Sequence, residues 1–233
     1  MAVALGSAGG CTVARRASQS AVDPQLRATG TALTRRDEPN GFRLGSYFVS
    51  DPRVSREDAD ATGLLLSSDA PRPVAQHRLE FGLEARATER TWAIECVSQR
   101  RRPPSSDYAA VLDENRDEIA IECTLRAGTD EALEEWVFRT EAELSHNFAG
   151  RLTKVGSDRT LDVEVVVWVQ RFGKIRRHLP DPVAQVRDDN EIVAAMVLAK
   201  PEQAWMTSTI EHEVAEVAVS TMLALRFLPL GLE

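Results

Sequence analysis

Residues 207–228 read TSTIEHEVAEVAVSTMLALRFL, and this stretch decides the fold. Residues 207–209 offer hydroxyl side chains as N-cap candidates, and Glu211 and Glu213 follow in the first turns, where acidic groups complement the helix dipole. Pro229 ends the segment, because proline cannot continue a helix. The pattern predicts a helix at the C-terminal end of the chain.

This helix lacks a polar face. No charged residue follows Glu216 until Arg226, and the apolar side chains between them cover nearly the whole circumference. A helix that is apolar on every side is buried. We therefore predict a helix from Thr209 to Leu228 that is enclosed by strands. The side chains expected to be almost fully buried are Val214, Val217, Ala218, Met222, Leu223 and Leu225.

The chain before this helix is a series of short strands. Apolar residues alternate with polar ones in runs that end at Gly, Pro, Asp and Asn, which is typical of half-buried strands joined by turns. The fold class is therefore mainly β: an antiparallel β-barrel, or a strongly curved sheet, wrapping the hydrophobic C-terminal α-helix. The predicted strands lie at 41–49, 63–67, 79–85, 92–96, 119–125, 150–155, 161–172, 183–186, 192–198 and 204–206.

Residues 131–148 fit two structures. Their apolar side chains match a helical period as well as a strand period, and the glutamates favour a helix locally. The strands on both sides favour a strand, which is our prediction.

Two cysteines occur in near-identical strand contexts, Ile-Glu-Cys-Val and Ile-Glu-Cys-Thr. Cys96 lies on the same face as Trp92 and Ile94, and Cys123 lies on the same face as Ile121. Both therefore point toward the apolar side of their strands. If the strands are neighbours, the two side chains can reach bonding distance. We predict a Cys96–Cys123 disulfide; two buried free thiols are the alternative.

The third cysteine, Cys11, follows an uncharged run of apolar and small residues that ends in Gly9-Gly10. The run resembles the end of a bacterial lipoprotein signal peptide, in which small residues precede the cysteine that becomes lipidated. Ala8 stands where leucine is usual, and signal peptides have a basic start and typically run about 15–30 residues. A start codon upstream of Met1 would supply the missing part. An incidental cysteine in a disordered terminus is the alternative.

These observations divide the chain into three parts. Residues 1–11 are a signal-peptide remnant with a lipobox-like end. Residues 12–41 show no lasting helical or strand period and are predicted to be a flexible tether. Residues 42–233 form a single β-barrel-like domain with its C-terminal helix.

Composition excludes some classes of function. The formal net charge is -8 and the pI is about 5.2, which argues against nucleic-acid binding, since that needs a basic face. No apolar run approaches the roughly 20 residues that a membrane-spanning helix needs.

The order of elements resembles the tubby C-terminal-like fold of phospholipid scramblases and LURP-one-related proteins. The resemblance covers residues 42–230 in layout: the strand at Glu191–Val197, a strand bearing Trp205, and the apolar helix. It implies a closed barrel around a central helix. No calcium-site residues of that family can be matched, so it implies no scramblase activity. With its paired cysteines the chain also resembles lipoproteins of predatory or soil bacteria.

No motif indicates catalysis. His212-Glu213-Val214-Ala215-Glu216 lacks the second histidine of a zinc protease, and a solvated first helical turn explains it better. We therefore assign no catalytic residue, no metal site and no cofactor. We expect a non-catalytic lipoprotein of the bacterial cell envelope, periplasmic or associated with the outer membrane, that contacts the membrane through Cys11 and binds a partner or ligand. An enzyme with an unrecognised site, or a phospholipid-interacting protein, is the alternative.

Overall fold

The computed structural model describes residues 19, 21–58, 72–102, 118–128, 133–143, 147–171 and 175–230. Its helices are α1 (Pro24–Thr29) and α2 (His212–Phe227). Its strands are β1 (Thr31–Glu38), β2 (Gly41–Leu44), β3 (Tyr47–Ser50), β4 (Arg53–Asp58), β5 (Arg72–Ala85), β6 (Arg90–Arg102), β7 (Glu118–Ala127), β8 (Glu134–Glu143), β9 (Phe148–Lys154), β10 (Thr160–Arg171), β11 (Ile175–Asp188), β12 (Glu191–Val197) and β13 (Gln203–Met206).

Twelve of these strands close into an antiparallel barrel. Their order is β3-β2-β1-β13-β12-β11-β10-β9-β8-β7-β6-β5, and pairing of β3 with β5 completes the ring. β4 continues β3 beyond Pro52 and pairs with the far part of β5. The predicted fold class, a mainly β antiparallel barrel with a C-terminal helix, is confirmed.

α2 occupies the interior of the barrel. Every residue from Val214 to Leu225 is buried, and the six side chains predicted to be buried are at most 2% exposed. The inward faces of the strands contribute the rest of a single large core. The helix is buried on all sides because its surface is apolar on all sides. Any exposed face would leave apolar surface in water, which is unfavourable.

The N-terminal end of α2 differs from the prediction. The N-cap is Glu211, which makes no side-chain capping hydrogen bond, so the hydroxyl residues at 207–209 do not cap the helix. They lie in a turn closed by a hydrogen bond from the amide of Ile210 to the carbonyl of Thr207.

Cys96 and Cys123 form a disulfide. They face each other directly across β6 and β7, with a Cα–Cα distance of 4.0 Å, and both side chains are buried. The prediction from their matching contexts is confirmed.

Removing this disulfide should destabilise the chain by about 3–4 kcal/mol, because the closed loop restricts the unfolded state. Unfolding of the Cys96→Ala/Cys123→Ala variant in guanidinium, compared with the oxidised wild type, measures the loss. Reduced wild type is the control, since it keeps both sulfur atoms in the core. A loss below about 1 kcal/mol would contradict the prediction.

Two strand predictions need comment. Residues 41–49 form the hairpin β2–β3, not one strand, because Gly45 takes a positive φ of 63° that starts a two-residue turn with Ser46. Residues 134–143 form β8, paired with β7 and β9, so the strand prediction within 131–148 is confirmed there. The strand predicted at 63–67 lies outside the described residues.

The tether predicted over residues 12–41 is wrong from residue 21 onward. β1 pairs with β13 and with β2, so it is part of the barrel wall. Before it, Val22 and Leu26 are 0% and 3% exposed and pack on the outside of the barrel. Sequence periodicity missed this segment because β1 is mostly exposed and α1 has six residues.

The packing of this segment also explains why β11 to β13 are apolar on both faces. One face contacts α2, and the outer face contributes Val183, Ala195, Val197 and Trp205 to a second small core beneath residues 21–26. Hydrogen bonds from Gln19 to Gln203 and from Gln185 to the carbonyl of Ala21 fix the segment in place. We call Gln19 together with residues 21–29 the strap.

Candidate functional site

A groove with a volume of about 920 Å³ lies on the outside of the barrel. It lies across β6, β7, β8 and β9 and reaches to β5 and β10 at its margins. It is at the upper end of the size range of ligand-binding clefts. The barrel interior is filled by α2, so within the described part of the chain this outer groove is the main candidate for a binding site.

Small outward side chains form the floor of the groove. Strand alternation turns Ala120 and Thr124 of β7 and Ala149 of β9 outward, while their neighbours Ile121, Cys123 and Phe148 point into the core. The sequence predicted this alternation, but the concave shape depends on how the strands curve around the barrel.

The groove carries equal numbers of opposite charges. Arg139 lies 2.7 Å from Glu122, and Arg151 lies 3.6 Å from Asp162. Among the described residues, Arg78 and Arg101 form no salt bridge, which leaves two cations on the β5–β6 side. The charged lining residues are Arg78, Arg101, Arg139, Arg151, Glu95, Glu122, Glu141 and Asp162.

The ionic groups of the described lining are guanidinium and carboxylate groups. This lining contains no histidine, and its sulfur atom, that of Cys96, is held in the disulfide. A nucleophile needs a neighbouring base or another group that activates it. Alternating guanidinium and carboxylate groups are able to form charge-assisted hydrogen bonds with a ligand that presents both signs of charge.

A second polar group of residues holds the N-terminal half of α2. Glu216 is 1% exposed and accepts hydrogen bonds from Trp92 Nε1 at 2.7 Å and from the Thr88 hydroxyl. One turn earlier, Glu213 accepts a hydrogen bond from Trp136 Nε1 at 2.8 Å and pairs with Lys154 at 2.7 Å. Two indoles, from β6 and β8, therefore fix the position of α2 within the barrel. The prediction that this turn is solvated is wrong for Glu216.

Burial raises the pKa of Tyr47 to about 12, and the nearby negative charge of Glu216 adds to this effect. Tyr47 is 6% exposed. Its phenol therefore stays protonated well above its usual range.

Alkaline titration followed by phenolate absorbance should show Tyr47 ionising near pH 12. Glu216→Gln should lower the pKa of Tyr47, because it removes the charge that opposes ionisation. Tyr47→Phe should abolish the late step and so assigns it, while Glu211→Gln, at an exposed position, serves as the matched control. An unchanged late step in Glu216→Gln would contradict the proximity of the two groups.

Glu213 behaves in the opposite sense. Burial alone would raise the pKa of its carboxyl, but hydrogen bonds from Lys154 and Trp136 outweigh burial and hold the pKa below its usual value of 4.5. Its contribution to stability is therefore present above that value and is lost as pH falls through the lower pKa of the folded state.

Glu213→Gln should flatten the acid side of the stability profile. The free energy of unfolding of the wild type should fall more steeply below pH 4.5 than that of the variant. Denaturant unfolding between acidic and neutral pH measures both profiles, with Glu211→Gln as the control. Parallel profiles would show that Glu213 is not preferentially ionised in the folded state.

A third polar group joins β1 to the C-terminal end of α2. Glu202, with a fully buried side chain, lies 2.9 Å from Arg35 Nη1 and 3.6 Å from Arg226 Nε. Glu202 Oε1 and Arg226 Nε are buried and have no hydrogen-bond partner in the described part of the chain. Arg35 also pairs with Asp37 and stacks on Phe42, so the charges form a chain that ends at the surface.

The residues that the sequence singled out are not brought together into one site. Cys11 lies outside the described residues, Cys96 lies under the groove, and His212 is exposed at the start of α2. No group of three or more His, Cys, Asp or Glu side chains among the described residues could hold a metal ion. Within the same residues, no helix has the length and apolarity needed to cross a membrane.

Sequence reasoning missed the buried carboxylates Glu202 and Glu216. Glu216 had a signal, since it stands on a helix surface that is otherwise apolar. Glu202 had none, because its burial depends on the turn between β12 and β13 meeting the end of α2.

Comparison with known proteins finds no matching family, no similar curated protein and no similar solved structure. The resemblance to the tubby-like fold therefore stays a prediction from the sequence.

Proposed function

We propose that this chain is a non-catalytic lipoprotein of the bacterial cell envelope, anchored through Cys11, whose barrel binds a partner through the outer groove. The observation that carries the binding role is the division of the barrel into a closed interior and an open groove. α2 and the inward side chains of the strands form one large core in the described part of the barrel, so we expect a ligand to bind at the outer surface.

The chemistry of the groove supports binding without turnover. Its ionic groups pair with one another at Glu122–Arg139 and Arg151–Asp162, which neutralises them until a partner competes for them. Arg78 and Arg101 remain as cations for an incoming carboxylate or phosphate. Exposed pairs of this kind contribute less to stability than to the choice of partner.

Anchoring is tested by labelling growing cells with radioactive palmitate. We expect incorporation into the wild type, loss of the label in Cys11→Ala, and retention of the label in Cys96→Ala/Cys123→Ala. Absence of label from the wild type, with the protein soluble and Cys11 a free thiol, would overturn the lipoprotein assignment.

Binding is tested with a photo-crosslinking amino acid placed at Thr124 in the groove or at Thr29, an exposed threonine on the strap that serves as the matched position. We expect a discrete adduct from Thr124 alone, and its loss when Arg78→Glu and Arg101→Glu are added. An adduct that survives these charge reversals, or one that forms equally at Thr29, would show that the groove does not select the partner.

A further inference from the structure

β4 is an edge strand that begins beyond the β1–β2 hairpin. It pairs with β5 from Arg53 to Asp58, and no other described strand pairs with its opposite side. The turn of the β1–β2 hairpin contacts the chain just before β4, where the amide of Asp51 donates to the carbonyl of Asn40 at 3.1 Å. A strand edge without a neighbouring strand is a template for pairing with another chain.

Both faces of β4 are exposed as well as its edge. Successive side chains of a strand point to opposite faces, and four consecutive positions, Arg53 to Arg56, are all exposed. Val54 is 46% exposed, although it is a large apolar side chain. Neither face of β4 is therefore packed against the described barrel, and another strand could approach this edge.

Symmetry limits how two copies of β4 could pair. A two-fold axis perpendicular to the sheet makes the two strands antiparallel and gives both copies the same contacts. It also keeps each residue on its own face of the sheet, and directly opposed residues share a face. The axis must therefore pass between the two copies of a single residue, which leaves only a few registers for a strand of six residues.

The charges of β4 favour one of these registers. With the axis at Ser55, Arg53 of each copy faces Glu57 of the other, and Val54 faces Arg56. An axis at Arg56 would oppose two guanidinium groups, and an axis at Glu57 would oppose two carboxylates. Opposite charges facing each other across strands stabilise the pair, whereas like charges destabilise it. Charges on an edge usually discourage pairing, but here the two signs match in the register centred on Ser55.

We propose that β4 is a self-association edge, through which two copies of this chain pair antiparallel with the two-fold axis at Ser55. The second copy supplies both charges that the first copy needs, since each Arg53 meets a Glu57. A pairing of five residues buries less surface than a standard interface of about 1,600 Å², so the dimer is weak and reversible. The proposal depends neither on the groove nor on anchoring through Cys11.

Charge reversal tests the register by sedimentation equilibrium. The full chain carries Cys11→Ser, which excludes a dimer linked through that thiol. We expect the average mass to rise from one chain toward two with concentration, and Arg53→Glu or Glu57→Arg alone to prevent this rise. An equimolar mixture of the two variants should dimerise about tenfold or more tightly than either alone, because every reversed charge then faces its opposite.

Glu84→Arg is the matched control, because it makes the same change of charge at an exposed position of β5 away from the β4 edge. It should dimerise like the parent chain. A parent chain that stays monomeric at every concentration would overturn the proposal. Dimers that persist in both single variants, or a mixture that stays monomeric while the parent dimerises, would do the same.

A cross-link at the axis gives a second, independent readout. Directly opposed residues of an antiparallel pair lie about 4.5–5.5 Å apart between Cα atoms, which falls within the range of disulfides. Mild oxidation of Ser55→Cys should therefore link two chains, and adding Arg53→Glu should prevent the link. Ser157→Cys is the control, since Ser157 is an exposed serine in the turn between β9 and β10. Equal linkage from both positions, or none from Ser55→Cys, would overturn the proposed pairing.

Discussion

Leu223→Asp is expected to prevent the chain from folding. Leu223 is 0% exposed at the centre of α2, and α2 is surrounded by the inward faces of the barrel strands. A carboxylate at this fully buried position would be removed from solvent within an apolar core, and burying an unpaired charged or polar group costs several kcal/mol, which is comparable to the stability of an ordinary domain. The measurement is the far-ultraviolet circular dichroism of the purified variant, with its elution volume as a second readout.

A milder substitution keeps this prediction quantitative. Leu223→Ala should fold but lose about 2–5 kcal/mol, from lost burial and from the cavity left behind. Leu133→Asp is the control, because Leu133 is 50% exposed and should tolerate the charge. If Leu223→Asp folds with wild-type stability, the helix does not fill the interior of the barrel, and the proposed binding role loses its main support.

The second large effect is expected at Glu202. Glu202→Gln should destabilise the protein by about 3–5 kcal/mol, because the change leaves Arg35 and Arg226 without their shared counter-charge in a buried setting. The side chains of Arg35 and Arg226 are only 20% and 22% exposed, so water replaces that carboxylate poorly. Guanidinium unfolding followed by tryptophan fluorescence measures the change.

Two comparisons separate a buried charge effect from a general loss of packing. Glu122→Gln, which breaks the exposed pair with Arg139 at 2.7 Å, should cost at most about 1 kcal/mol. The triple variant Glu202→Leu/Arg35→Met/Arg226→Met should recover much of the loss, since a buried ionic group can be replaced by apolar side chains of similar volume. Equal losses for Glu202→Gln and Glu122→Gln would contradict the predicted role of burial.

The groove illustrates which features of a candidate site can be predicted from the sequence. The outward direction of Thr124 and Arg139 follows from strand alternation, which the sequence displays. Their positions in one concave surface cannot be predicted from the sequence. β6 and β7 are separated along the chain by a long connection, and the strands curve only when the barrel closes. No short motif marks the groove, since its residues are spread over six strands.

The sequence by itself determined the central helix, the alternating strands and the disulfide. Each of these is a local pattern: an uncharged, mainly apolar run between Glu216 and Arg226, a period of two on the strands, and two cysteines on apolar faces in matching contexts. Such patterns indicate which side of a helix or strand faces water. Burial of the other side can therefore be predicted without knowing which element packs against it.

Only the tertiary structure decided the part played by Gln19 and residues 21–38, and the burial of Glu202 and Glu216. β1 is largely exposed. It belongs to the barrel because it pairs with β2 on one side and with β13 on the other. The strap has too few apolar residues to show a periodic pattern. It nevertheless covers the outer surface of β11, β12 and β13. Glu202 and Glu216 are buried because guanidinium and indole groups that are distant in the sequence contact them. No local sequence pattern indicates such contacts.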